Sequence, residues 1–193
     1  MGAEYELKYR ANEACQAAIA ADFSGGWESV AMQTTYYDTP SGSLSANRYM
    51  LRKRLENGVS VCTLKTSGKG NLRGEWEAES HTIASTVPML CKLGCPGDLA
   101  ELCAEGLVPI CGASFTRWAK LLTFPDFTAE LALDRGILFS GEKECPLCEI
   151  ELELKAGSKD GLDAFATDFA VKYDLLPEEK SKFARALSLY KEV

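Results

Sequence analysis

The sequence predicts an α+β protein: an antiparallel, barrel-like sheet of about eight strands with helices packed outside it. Three observations carry this expectation. Stretch after stretch alternates apolar and polar residues with the period of two that a strand requires. The strands are mostly neighbours in sequence, which favours antiparallel pairing. Helical patterns are confined to residues 13–22, 82–106 and the segment after 160. Strand count alone fits a sandwich with peripheral helices equally well.

The elements follow in order. Residues 3–10 (Ala-Glu-Tyr-Glu-Leu-Lys-Tyr-Arg) alternate strictly and read as a strand. Asn12 is placed to cap a helix through 13–22, which stops before Ser24-Gly25-Gly26. Residues 30–38 are rich in strand formers, with Thr34, Thr35, Tyr36 and Tyr37, and end in an Asp38–Gly42 turn. Runs 48–55 and 59–65 flank Asn57-Gly58, a strong hairpin signal. Residues 72–79 alternate again. Short helical patterns over 82–106 are broken by Gly94 and Pro96-Gly97. Strands are expected at 108–122, 128–138 and 147–155, then helices at 162–173 and 178–190, separated by Pro177.

Composition bounds the function. The chain has 193 residues, 46% hydrophobic and 25% charged, as expected of a soluble globular protein of one or two domains. No apolar run is long enough to span a bilayer, and charges stand near Met1 where a signal peptide needs an apolar core. A cytoplasmic location is expected, with no membrane partner. A net charge of −7 argues against general nucleic-acid binding, but not against a small polyanion held in a basic cleft. Eight cysteines without a secretory signal are expected to be reduced. Cys145-Pro-Leu-Cys148 is a lone CxxC and a weak metal signal. Cysteines 91, 95, 103 and 111 are set against a metal site as small buried hydrophobes. His81 reads as an ordinary surface residue. The sequence is silent on oligomeric state.

The charged residues recur at period two, so they share strand faces. Glu4, Glu6 and Lys8 form one such set. Arg52 with Arg54, Thr63 with Lys65, and Arg73, Glu75, Glu77 and Glu79 form others. Glu130 pairs with Asp134, and Glu149, Glu151 and Glu153 with Lys155. An open sandwich would turn these faces to solvent. A closed barrel would turn them inward, around a polyanion and its metals. The second arrangement has a chemical reason: Mg²⁺ and Mn²⁺ favour carboxylate oxygens, while phosphate chains favour Arg and Lys. Hydration or pairing would make so many enclosed charges tolerable.

These residues resemble the CYTH superfamily, or triphosphate tunnel metalloenzymes. Glu4-Tyr-Glu6-Leu-Lys8 is similar to its ExExK signature, and the later motifs follow in order. These are Gln33–Pro40, Leu51-Arg-Lys-Arg54, Thr63-Leu-Lys-Thr66, Arg73-Gly-Glu75-Trp-Glu77, Phe115-Thr-Arg117, Ala132-Leu-Asp134-Arg-Gly136, Glu149–Lys155 and Ser181-Lys182-Phe-Ala-Arg185. The resemblance implies one tunnel domain of eight antiparallel strands over 1–193, with a Cys-containing helical insertion near 82–107. It implies metal ligation by Glu4, Glu6, Glu149 and Glu151, with Glu153 an alternative within the late strand. Glu75 and Glu77 would lie near a second metal, and Asp134 near the metals or orienting a basic residue. Lys8, Arg52, Arg54, Lys65, Arg73, Arg117 and Lys182 would grip phosphate. Lys120 would join them only if a bulge turned it to the face of Arg117.

The implied chemistry is in-line attack of a metal-activated water on a terminal phosphorus, with Mg²⁺ or Mn²⁺ and no covalent intermediate. Inorganic tripolyphosphate, cleaved to pyrophosphate and phosphate, is the first expected substrate. Nucleoside or thiamine triphosphates, ATP cyclisation and a non-catalytic polyphosphate-binding module are the alternatives.

Overall fold

The computed structural model describes residues 5–67 and 73–191. Strand β1 (Glu6–Arg10) leads into α1 (Glu13–Asp22), whose first turn is capped by the Asn12 side chain accepting from the Cys15 amide. Then come β2 (Glu28–Asp38), the short α2 (Ser43–Ala46), β3 (Tyr49–Glu56), β4 (Val59–Ser67) and β5 (Arg73–Glu79). The β3–β4 turn has Asn57 and Gly58 both at positive φ, 46° and 92°. That is the two-residue geometry whose twist matches the flanking strands. Helices α3 (Ile83–Lys92) and α4 (Leu99–Leu102) occupy the cysteine-rich stretch. Three long strands follow, β6 (Val108–Thr123), β7 (Phe127–Ser140) and β8 (Lys143–Gly157), then α5 (Lys159–Lys172), the two-residue β9 (Leu176–Pro177) and α6 (Lys182–Lys191).

The strands form one antiparallel sheet in the order β5-β4-β3-β2-β6-β7-β8-β1-β9. The eight expected strands are all present, and β9 adds a short ninth. Among the described residues no ladder joins β5 to β9 or β1, so hydrogen bonding leaves a seam where a strictly closed barrel would have none.

Helices cover the outer face in two groups. Tyr9, Leu131, Leu133, Ile150 and Leu152 pack with Ile19 of α1 and Leu162, Ala166 and Phe169 of α5. Leu51, Leu64 and Ala78 pack with Val87 and Leu90 of α3 and Leu99 of α4. Helix α6 departs from the expectation that helices lie outside. Its Ala186, Phe183 and Leu187 pack with Met32, Tyr36, Phe115, Leu138 and Leu147 on the opposite, inner face. The helix starts at 182 rather than 178 because 176–177 pair with β1 and the Glu178 amide donates to the Lys8 carbonyl.

All eight cysteines are free. Cys91, Cys95 and Cys103 belong to the outer cluster under α3 and α4, while Cys111 packs in the α6 cluster, so these four do not surround one point. Cys145 and Cys148 stand at an odd offset on β8 and point to opposite faces. His81 is exposed, and its carbonyl accepts from Lys53. No helix among the described residues is long and apolar enough to cross a membrane.

Candidate metal and phosphate site

Sheet register carries the charged residues onto one continuous inner face. Lys8 stands opposite Glu151 and Glu6 opposite Glu153 across β1–β8. Asp134 stands opposite Glu149 on one side and Arg117 on the other. Arg52 and Arg54 stand opposite Tyr36 and Thr34 on β2. Beyond them lie Thr63 opposite Arg52, then Glu77 opposite Thr63 and Glu75 opposite Lys65. Side chains at directly opposed positions share a face. The alternation seen in the sequence therefore becomes a strip running from β5 to β1.

At its centre are three buried carboxylates, Asp134, Glu149 and Glu151, with ligand oxygens all within 4.8 Å of one another. Among the described residues they are the one group of three or more His, Cys, Asp or Glu so arranged. Arg117 forks onto Asp134, Nε to Oδ1 at 2.8 Å and an Nη to Oδ2 at 2.7 Å, and also donates to Glu151. Lys182 donates to Glu149 and, at 2.7 Å, to Glu151, and its ammonium lies 2.7 Å from Asp134 Oδ2 as an ion pair. Burial opposes ionisation of Glu151, but Lys182 and Arg117 outweigh it and hold this carboxyl below the usual range. Burial likewise opposes charge on Arg117 and Lys182, and their acidic neighbours outweigh it, so both stay protonated. Glu6, beside this group, is pushed up to about 7 by burial and by the nearby Glu151 charge. Lys8 lies 4.0 Å from it.

The second part of the strip is cationic. Arg52 sits low in solvent and next to Arg54, which disfavours its charge, while Glu75 and Glu77 favour it. The Nε atoms of Arg52 and Arg54 are buried without a hydrogen-bond partner. A buried, unpartnered guanidinium donor is costly unless an anion completes it. Lys65 pairs with Glu75 at 3.0 Å, and Thr63 donates to Glu77 at 2.8 Å. Tyr36 links the two parts: its buried ring meets Phe183 of α6 with centroids 4.8 Å apart, and its hydroxyl feels Arg52, Lys182 and Arg54.

Some expected residues lie elsewhere. Glu4 is outside the described residues, as is the side chain of Arg73. Glu153 faces the strip but pairs with Lys155 at 2.8 Å. Lys120 is not brought to the site. Strand β6 pairs with β7 without a bulge across this stretch, so Lys120 keeps the parity opposite to Arg117. Its ammonium instead caps the end of α1 by donating to the carbonyls of Phe23, Ser24 and Gly25 at 2.9, 3.1 and 2.6 Å.

Three charged residues beside the site had no role in the sequence reading. Arg185 donates to Glu149 at 2.5 Å and to Glu178 at 3.3 Å, and Arg10 donates to Glu178 at 3.1 Å. Arg185 follows Lys182 by three residues, hence on the same helix face. Arg10 continues the alternation of Glu6 and Lys8. Both signals were present in the sequence. Glu178, buried in a loop, has no such signal.

The acid group fits a hard divalent cation, since it offers clustered, charged oxygen donors and no soft ones. Cationic side chains on the same face fit an anion beside it.

The CYTH domain model matches residues 2–187. The inorganic triphosphatase of Haemophilus influenzae is 32% identical over 157 residues, 80% of this chain. The chain spans only 45% of that relative. Among solved structures, a Hippeastrum adenylyl cyclase candidate described by a dominant triphosphatase activity aligns with a TM-score of 0.66 at 17% identity, covering 96% of this chain and 95% of its own. The PH1819 protein of Pyrococcus horikoshii aligns with a TM-score of 0.59 at 18% identity, covering 96% and 99%. At such identities the structures bear on the fold alone. With the family model spanning nearly its whole length, the chain belongs to the CYTH domain family.

Proposed function

We propose that this chain hydrolyses a triphosphate with Mg²⁺ or Mn²⁺, and that inorganic tripolyphosphate is its substrate, giving pyrophosphate and phosphate. The observation that carries this is the joining, on one face, of a buried three-carboxylate group with two arginines whose Nε donors lack partners. The name of the Haemophilus influenzae relative supports the choice of inorganic triphosphate.

Asp134, Glu149 and Glu151 hold the metal, with Glu6 beside them and Glu4 next on the same alternation. Glu75 and Glu77 form a second acidic pair, and Glu153 borders the first group. Arg52, Arg54, Lys65 and Arg73 grip one part of the phosphate chain, and Lys8, Arg117 and Lys182 the part next to the acids. When bound, the ion lowers the pKa of water and offsets phosphate charge. Arg117, fixed by its fork on Asp134, presents its remaining N–H donors to the transferring group without reorganising. Water is the attacking group, and no side chain forms a covalent intermediate.

The test is phosphate release from tripolyphosphate, with Mg²⁺, with Mn²⁺ and with chelator, for the wild type and for Glu149→Gln and Glu6→Ala. Metal-dependent release that both substitutions abolish is the expected result. Release that survives in chelator, or in both variants, would sink the reading. Running ATP and thiamine triphosphate in parallel, with cyclic AMP assayed, separates the substrate choices. Tight tripolyphosphate binding without turnover under either metal would point to a binding module.

A further inference from the structure

The acid group is saturated by the chain's own side chains. Asp134 Oδ1 and Oδ2 both accept from Arg117, and the Lys182 ammonium lies 2.7 Å from Oδ2 as an ion pair. Glu149 accepts from Lys182 on one oxygen and from Arg185 on the other. Glu151 does the same with Lys182 and Arg117. Every one of the carboxylate oxygens that would ligate a metal has a cationic donor. The charges also balance: three carboxylates face Lys182, Arg117 and Arg185, whose side chains are 13%, 16% and 19% exposed, and Glu178 on Arg185 is matched by Arg10. A divalent ion added to this neutral, enclosed group would leave two uncompensated positive charges. Burying net charge is expensive, so an exchange is favoured over an addition.

Of the three cations, one is suited to leave. Arg117 is forked on Asp134 from the middle of β6, and Arg185 is tied to Glu178 as well as Glu149. Lys182 alone lies within ion-pair distance of all three acids, through a flexible four-carbon stem. It sits at the first position of α6, while the helix body is anchored independently by Phe183, Ala186 and Leu187 on the inner face. Its ammonium can therefore swing without unseating the helix.

We propose that Lys182 is the chain's own counter-ion to the acid group, and that it and a divalent ion exclude one another from Asp134, Glu149 and Glu151. Metal entry turns the ammonium off the acids and frees it for the incoming phosphate chain. Lys182 is thus a placeholder before binding and a phosphate ligand after it. The proposal rests on the metal-dependent reading above. It adds that metal affinity in the absence of substrate is held down by the chain's own lysine.

The experiment is Mn²⁺ binding to the full chain without substrate, with free Mn²⁺ followed by electron paramagnetic resonance, for wild type, Lys182→Gln and Lys120→Gln. A site available only when Lys182 is away binds more weakly by that fraction, so Lys182→Gln is expected to bind roughly tenfold more tightly or better. Lys120→Gln, whose ammonium serves the end of α1, should match the wild type. Equal or weaker binding by Lys182→Gln, beside a wild type that binds, overturns this inference and leaves the metal reading standing. If neither protein binds Mn²⁺, with or without tripolyphosphate, both fall. A second measurement needs no variant: acylation of Lys182 in the wild type, read by mass spectrometry. Labelling should be slow in chelator and several-fold faster with Mg²⁺ alone. An unchanged rate under saturating Mg²⁺ overturns the exchange even if Lys182→Gln does not fold.

Discussion

Removal of Arg117 should be among the most destabilising single changes in the metal-free chain. Arg117→Met keeps the stem length and deletes the guanidinium. Asp134 is fully buried and receives two of its hydrogen bonds from that group, at 2.8 and 2.7 Å. Without it, Asp134 Oδ1 has no donor, and Glu151 loses the partner of its second oxygen. Leaving a buried charge uncompensated costs about 3–5 kcal/mol. At about 2–4 °C per kcal/mol for a chain of this size, the melting temperature should fall by about 6–20 °C. The assay is urea and thermal unfolding in chelator, so that metal binding adds nothing to stability. Asp134→Ala and the double variant complete a thermodynamic cycle. Because each single change strands the other's charge, the double variant should cost less than the sum by about 2 kcal/mol. Singles that add to within about 0.5 kcal/mol would show that the two residues do not depend on one another, and the account of the site's centre would be wrong.

Arg52→Met should separate binding from stability. It removes a buried, unpartnered donor, so the melting temperature should hold or rise, while KM for tripolyphosphate increases about tenfold or more, the equivalent of one charge-assisted contact. A marked loss of stability with KM unchanged would contradict it. Lys120→Ala should leave tripolyphosphate turnover intact and cost about 1 kcal/mol from the freed carbonyls of Phe23, Ser24 and Gly25 just past α1, read by urea unfolding. A raised KM would restore Lys120 to the phosphate site. Glu6 gives a pH signature in chelator. Its folded carboxyl titrates near 7, above the ordinary 4.5, so the fold favours the protonated form. Its contribution is complete below about 4.5 and is lost as pH rises through 7. The side chain is 33% exposed, so solvent screening reduces the effect to roughly 1–2 kcal/mol. Glu6→Gln should flatten that fall in urea midpoint between pH 5 and 8. Parallel slopes would refute it.

Much of the site was legible because strand geometry is rigid. Once residues 4–8, 52–54, 75–77 and 149–153 read as strands, period two placed each set on one face, and the Asn57-Gly58 turn fixed one register outright. Which face turned inward was not legible, because it depends on where helices pack. The apolar sides of β1, β7 and β8 are claimed by α1 and α5, which leaves the charged sides for the interior. Helix α6 was read as another outer helix. Its amphipathic pattern shows that one side is buried, not against which surface. Lys120 was misleading for a local reason. A basic residue near Arg117 invites grouping, yet parity alone sends it to the other face, and only a bulge, absent here, would have changed that. Glu178 belongs to a loop, where no periodicity reports direction.

The pairing of β1 with β8 also sets an order of assembly. The hairpins β3–β4, β4–β5, β6–β7 and β7–β8 close between chain neighbours, and Asp134 meets Glu149 within the last of these. The partners Glu6 and Glu153 are separated by most of the chain, and joining them closes a long loop whose entropy cost slows the step. The acidic centre is therefore laid down by local folding, while its N-terminal flank arrives only when distant segments meet. On this order, β7–β8 pairing is expected to bring the three carboxylates together before β1 docks Glu6 and Lys8 beside them. Full metal affinity should be among the last properties a refolding chain regains.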